Sequence, residues 1–240
     1  MYWTLRTPRR PALLLALALA AATGACDSLP GAESPASGAT SAAVQPAPDS
    51  ARDALVRRAD NGRIMGSDSS TVWLVVLSDF QCPYCKVWHD ETAPLIERDY
   101  VRTGRIRVAY LNLPISSHRN AWPAHESAMC AAEQGAFWPV ADAIFATQRR
   151  WKDLADALAF FDSLTSTLAL DHARVRACVA GGQLRPLIKA DLDRATRIGV
   201  GSTPSFFIGT RVLVGAQPYE AFKRALDEAL AEARTAKPTG

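Results

Sequence analysis

The chain has 240 residues, of which 27 are Lys or Arg and 24 are Asp or Glu, so its formal net charge is +3. Three arginines near the N-terminus, Arg6, Arg9 and Arg10, account for this excess, and the rest of the chain has 24 basic and 24 acidic residues. A balanced charge gives no support to nucleic-acid binding or to electrostatic attraction to an anionic membrane.

The first 25 residues have the pattern of an export signal. The three arginines are followed by an apolar stretch from Ala12 to Ala22, which is too short to span a bilayer comfortably. Small residues then precede Cys26. We therefore predict an export signal over 1–25, which would place the protein in a periplasmic or other extracytoplasmic compartment where disulfides persist.

Cys26 has two interpretations. Small residues before a cysteine are typical of a lipoprotein signal, in which that cysteine carries the lipid, whereas Thr23 stands where such signals prefer an aliphatic residue. The alternative is ordinary cleavage near Ala25. From Asp27 to Ser50, 18 of 24 residues are Pro, Ala, Ser, Gly or Thr, a composition that cannot form a core and predicts a flexible tether over 26–50. A tether favours Cys26 as a lipid anchor, which would be the chain's only membrane attachment.

The most informative motif is Cys82-Pro83-Tyr84-Cys85, which directly follows an apolar run that begins at Val72. Two cysteines with this spacing at the start of a helix indicate a redox-active dithiol. A zinc site would need further ligands at suitable spacing, but the other cysteines and the four histidines are scattered. We predict no metal site and no cofactor.

The remaining hydrophobic pattern predicts an α/β fold with a long helical insertion. The predicted elements are a buried strand over 71–78, a helix over 82–99, a second strand over 105–113 parallel to the first, helices over about 117–200, two short strands over 205–208 and 211–214, and an amphipathic C-terminal helix through Tyr219, Phe222, Leu226 and Leu230.

Four motifs together resemble the DsbA family of thiol:disulfide oxidoreductases. They are SDFQCPYC at 78–85, QGAFW at 134–138, GVGSTPSFFI at 199–208 and VGAQPY at 214–219. The resemblance covers about 63–233 and implies that residues 51–240 form a thioredoxin fold with an inserted helical domain. It further implies a cis Thr203–Pro204 bond that faces the dithiol. Pro83-Tyr84 is shared with glutaredoxins, and Thr203 replaces the Val of the enterobacterial oxidase; both differences bear on the redox potential.

The candidate catalytic residues are therefore Cys82, Cys85, Thr203 and Pro204. A helix N-terminus stabilises a Cys82 thiolate, and Cys85, about one turn further in, would resolve a mixed disulfide. Asp79 could accept the proton of Cys85 or cap the helix.

The predicted function is a monomeric oxidase that introduces disulfides into exported proteins and acts on their thiols or disulfides. The resemblance implies reoxidation by a DsbB-like, quinone-coupled membrane protein. The alternatives are a reductase or isomerase fed by a membrane electron donor, and a non-catalytic tethered thioredoxin-fold binding module.

Cys130 and Cys178 are the two cysteines of the helical insertion. Two unpaired thiols in an oxidising compartment would risk wrong pairing with the dithiol, so we predict a structural Cys130–Cys178 disulfide. The alternative is two buried free cysteines that pack as small apolar residues.

Overall fold

The computed structural model describes residues 51–236 of the chain. The predicted export signal (1–25), the tether (26–50) and Cys26 lie outside the described residues. Within them, no helix is both long and apolar enough to cross a bilayer.

A mixed five-stranded sheet forms the centre of the fold. Its strands are β1 (Ile64–Gly66), β2 (Val72–Ser78), β3 (Ile106–Asn112), β4 (Ser205–Ile208) and β5 (Arg211–Val214), in the spatial order β1-β3-β2-β4-β5. As predicted, β2 and β3 are parallel, whereas the other neighbours are antiparallel. The long apolar run of β2 suits a strand with neighbours on both sides and helices above it.

One face of the sheet is covered by α2 (Pro83–Glu91), α3 (Ala93–Ile96), a π-helical turn (Glu97–Val101) and the C-terminal α10 (Tyr219–Thr235). The prediction of one continuous helix over 82–99 is wrong. The chain breaks at Thr92 because Pro94 has no amide hydrogen to continue the helical hydrogen bonds. The break lets the chain turn along the sheet toward β3.

Two N-terminal elements were not predicted from the sequence. Helix α1 (Ala51–Gly62) precedes the three-residue edge strand β1. Gly62 lies so close to the insertion that an added Cβ would sit 2.1 Å from the carbonyl oxygen of Ala132. Only glycine permits this approach of the two backbones.

Six helices form the insertion between β3 and β4: α4 (Ala121–Ala132), α5 (Phe137–Ala146), α6 (Gln148–Trp151), α7 (Leu158–Ser166), α8 (His172–Ala180) and α9 (Arg185–Arg197). The predicted α/β class with inserted helices is thus confirmed. Leu154 and Leu158 are exposed near the start of α7, whereas Phe161 of the same helix is buried in the core.

A continuous hydrophobic core joins the insertion to the dithiol. It contains Phe80, Cys82 and Cys85 together with residues of α4 to α8 such as Trp151 and Phe161. Within this core, Cys130 of α4 and Cys178 of α8 are joined by a disulfide with Cα atoms 5.8 Å apart. The insertion therefore supports the loop that precedes the active-site helix.

Candidate active site

The dithiol lies where β2 gives way to α2. Cys82 is the N-cap residue of α2, with an extended backbone, and Pro83 is the first helical residue. Proline is favoured there because its missing amide hydrogen would have no helical partner. Cys82 and Cys85 are both free thiols, with 5% and 0% of their surfaces exposed.

The two thiols have opposite electrostatic environments. A hydrogen bond from Cys85, together with the Thr203 side chain and the amides of Cys85 and Tyr84, lowers the pKa of Cys82 to about 6, although burial opposes the shift. Burial, followed by the proximity of Cys82, raises the pKa of Cys85 well above its ordinary value. At neutral pH the site therefore holds a Cys82 thiolate beside a protonated Cys85.

The loop before β4 faces Cys82. The Thr203–Pro204 peptide bond is cis, and the sulfur of Cys82 lies 3.5 Å from the carbonyl oxygen of Thr203. The carbonyl of Pro204 accepts a hydrogen bond of 2.8 Å from the amide of Gly215, which ties the loop to the end of β5. The structure thus brings together Cys82, Cys85, Thr203 and Pro204.

We expect the Thr203→Val substitution to raise the pKa of Cys82. It removes a hydroxyl that stabilises the thiolate, and hydrogen bonds to charged groups contribute enough to shift a pKa by about one unit. Thiolate absorbance titration measures the shift, and Thr203→Ser, which keeps the hydroxyl, is the matched control. An unchanged midpoint in Thr203→Val would contradict the role of the hydroxyl.

Asp79 fastens the loop between β2 and α2. Its buried carboxylate accepts hydrogen bonds from the amides of Gln81 at 2.7 Å and Ile115 at 2.8 Å, and it contacts His118 Nδ1 at 2.7 Å. Its amide donates to the sulfur of Cys85 at 3.4 Å. Asp79 does not cap α2, whose N-cap residue is Cys82; it connects the dithiol loop to the segment after β3.

Two further polar side chains, which the sequence pattern did not indicate, hold the same loop. Gln148 of α6 donates to the carbonyls of Phe80 at 2.8 Å and Cys82 at 3.0 Å. Gln81 accepts from the amide of Asn120 and donates to a carbonyl that follows α6. The signal that could have revealed Gln148 is a lone amide in an otherwise apolar or basic helical segment, since such a group needs a partner when buried.

Residues 51–236 contain no group of three His, Cys, Asp or Glu side chains placed to bind a metal ion. His89, one turn beyond Cys85, instead contacts Asp142 of α5, with Nε2 3.2 Å from the carboxylate oxygen.

A buried polar network lies behind the dithiol loop. His125 Nδ1 contacts the side-chain oxygen of Asn112 at 2.8 Å, the Asn112 amide donates to Asp191 at 2.8 Å, and Asp191 pairs with Arg63. The ring of His125 packs against Phe80, with centroids 4.8 Å apart. Burial lowers the pKa of His125 to about 4.

We expect the protein to lose stability below pH 6.5 because of His125. Between its ordinary pKa near 6.5 and its folded value of about 4, the unfolded chain binds a proton that the folded protein does not. The free energy of unfolding should therefore fall by about 2–3 kcal/mol from pH 7 to pH 4.5 on this account. Urea titrations at a series of pH values give the free energy of unfolding of the protein and of His125→Gln as a function of pH. We expect the free energy to fall more steeply toward low pH in the unaltered protein, and equal pH dependence in both proteins would contradict the assignment to His125.

The sequence matches one family profile and several curated proteins. A family profile described as "Thioredoxin" matches residues 58–228. "Probable disulfide bond formation protein D" of Bacillus anthracis is 23% identical over 170 residues, which are 69% of this chain and 77% of that protein. "Na(+)/H(+) antiporter NhaA 3" of Salinispora tropica is 33% identical over 182 residues, 75% of this chain but 26% of the antiporter. The chain thus spans about a quarter of such antiporters.

Solved structures share the fold at low sequence identity. Wolbachia pipientis alpha-DsbA1 has a TM-score of 0.64 at 18% identity, over 72% of this chain and 92% of that one. Oxidised BdbD from Bacillus subtilis has a TM-score of 0.64 at 19% identity, over 71% of this chain and 94% of that one. These likenesses show the fold, and the site's own geometry must carry the chemistry.

Proposed function

Because this chain belongs to the thioredoxin family and has the fold of its DsbA-like members, we propose that it is a thiol:disulfide oxidoreductase, in its physiological direction an oxidase of exported proteins. The observation that carries the proposal is the pair of unequal thiols at the start of α2, with the pKa of Cys82 lowered to about 6 and that of Cys85 raised.

The oxidised form would carry a Cys82–Cys85 disulfide. A substrate thiolate attacks the sulfur of Cys82, the Cys82–Cys85 bond breaks, and Cys85 leaves and takes up a proton. A second substrate thiolate then attacks the substrate sulfur of the mixed disulfide, and Cys82 leaves as a thiolate. The substrate loses two electrons and the dithiol gains them. A low pKa makes Cys82 a good leaving group, which favours this direction.

The surface beside Cys82 suits an unfolded substrate. Tyr84 and Val87 of α2 are 65% and 41% exposed, although both are large apolar residues. Exposed apolar side chains next to a reactive thiol can contact the apolar segments of a polypeptide that has not yet folded. Thr203 and Pro204 face Cys82 from the opposite loop, where they would bound the same substrate site.

The reduction potential of the Cys82–Cys85 couple tests the proposal directly. It is measured by equilibration with glutathione of known redox ratio, followed by trapping and mass analysis. A potential near or above about −180 mV supports an oxidase, whereas one near −270 mV supports a reductase, as these values separate strong oxidants from thioredoxin. A reductase or isomerase would draw electrons from a membrane donor.

The proposed setting follows from the segments that precede the described residues. Export by residues 1–25, and attachment through a lipid on Cys26 with 26–50 as tether, would place residues 51–240 as an oxidoreductase domain beside a membrane. A DsbB-like, quinone-coupled membrane protein would then accept its two electrons. Fractionation of cells that express the full chain and its Cys26→Ser variant tests the anchor, and equal membrane retention of both contradicts it.

A further inference from the structure

A cavity of about 610 Å³ lies between the sheet, the active-site helix and the insertion. Its floor is the face of β2 and β3 that includes Ser78 and Tyr110, its sides include Trp88 of α2 and Trp138 of α5, and it extends to His89 and Asp142. It thus extends from Ser78, at the end of β2, to the ion pair between His89 of α2 and Asp142 of α5.

Three buried polar atoms in the walls of this cavity lack a hydrogen-bond partner among residues 51–236. They are the hydroxyl of Tyr110 and the indole nitrogens of Trp88 and Trp138. Buried polar groups are almost always hydrogen-bonded to protein or to water, and a cavity of this size has room for water beside these three atoms. Their convergence on one space indicates a hydrated cavity.

Ser78 links the cavity to the buried thiol. It lines the cavity, and the amide of the next residue, Asp79, donates to the sulfur of Cys85 at 3.4 Å. Ser78 and Tyr110 lie on the same face of the sheet, since Tyr110 is in register with Val76 of β2. The carboxylate of Asp79, by contrast, already accepts from two amides and contacts His118, and only its backbone amide reaches Cys85.

We propose that Ser78, Tyr110 and the water of this cavity form a proton path between Cys85 and the His89–Asp142 pair. The inference rests on the proposed function. When Cys85 attacks the Cys82–substrate disulfide, its proton passes to the Ser78 and Tyr110 hydroxyls and the cavity water and then to His89. The Cys82–Cys85 bond forms, and the substrate leaves as a thiolate. In the oxidising direction the same groups return a proton to the leaving Cys85.

The surface end of the path has its own geometry. The ring of His89 stacks on that of Phe145, with ring centroids 4.4 Å apart. The side chain of His89 is 19% exposed and that of Asp142 is 67% exposed. His89 therefore joins the buried cavity to bulk solvent. The other charged residues that line the cavity are Asp90 and Glu97.

The reaction of the reduced protein with a chromophoric aromatic disulfide, 5,5′-dithiobis(2-nitrobenzoate), separates the two thiols. A first release of coloured thiolate reports the attack by Cys82, and a second reports the attack by Cys85 on the mixed disulfide. We expect Tyr110→Phe and Ser78→Ala to leave the first phase unchanged and to slow the second at least about tenfold. The matched control is Tyr100→Phe, which removes a tyrosine hydroxyl outside the cavity, where it bonds Asp227.

Two readouts separate proton transfer from a structural effect. The slowed phase of Tyr110→Phe should accelerate with imidazole concentration and show a larger solvent deuterium isotope effect than the unaltered protein. Ala141→Leu, which fills the cavity without removing a polar group, should slow the same phase. The proton path would be overturned if the second phase of Tyr110→Phe, Ser78→Ala and Ala141→Leu were as fast as that of Tyr100→Phe. It would also be overturned if only Asp79→Asn slowed the second phase. Loss of the first phase in the unaltered protein would instead refute the proposed function.

Discussion

Replacement of Cys82 by Ser is expected to reduce disulfide exchange by more than about a thousandfold, to the background rate of the assay. The thiolate is the attacking and leaving group in exchange, and a serine hydroxyl does not ionise near neutral pH. The measurement is the oxidation of a reduced, unfolded model protein by stoichiometric amounts of each variant, followed by trapping of its free thiols.

Cys85→Ser provides the matched control. It keeps the Cys82 thiolate at the start of α2 but removes the resolving thiol, so stable mixed disulfides with substrates should accumulate. In the unaltered protein the alkylation rate of Cys82 should rise with pH and reach half its maximum at about pH 6. A midpoint at or above about 8.5, the ordinary thiol value, would favour the non-catalytic binding module over an oxidoreductase.

The dithiol and strand β2 can be predicted from the sequence because the residues that indicate each of them are neighbours in the chain. A run of apolar residues before Cys82 predicts β2, and Pro83 is compatible with a helix start in any context. The C-terminal strands β4 and β5 are similarly recognised from Gly209 between two short apolar runs. These features depend on neighbouring residues, so they survive without knowledge of the tertiary structure.

Other features depend on contacts between distant segments. Strand β1 has three residues and exists because Ile64 and Met65 pair with β3, so no periodicity could reveal it. The sequence does not determine the role of Asp79, because its partners Ile115 and His118 lie more than thirty residues away, on a loop whose position only the fold determines. The same holds for Gln148, whose partners are carbonyl groups of the dithiol loop.

Removal of the disulfide in the helical insertion is expected to cause a large loss of stability. The disulfide between Cys130 and Cys178 closes a loop with a sequence separation of 48 residues. On the chain-entropy model such a loop restricts the unfolded chain by about 4 kcal/mol. We therefore expect Cys130→Ala/Cys178→Ala to lower the free energy of unfolding by about that amount, and to lower the melting temperature by roughly 10 °C for a domain of this size.

Reduction of the Cys130–Cys178 disulfide distinguishes the effect of the cross-link on stability from the effect of removing two sulfur atoms from the core. In a Cys82→Ala/Cys85→Ala background the only thiols of the described domain are Cys130 and Cys178, so a strong reductant should destabilise that protein and leave the quadruple Ala variant unchanged. Because α4 and α8 enclose the core that reaches Phe80 and Cys82, the Cys130→Ala/Cys178→Ala variant, which keeps the dithiol, should have a looser dithiol loop and a faster alkylation of Cys85. If both thiols of the background protein react with an alkylating reagent after denaturation without reductant, the bridge does not form in solution.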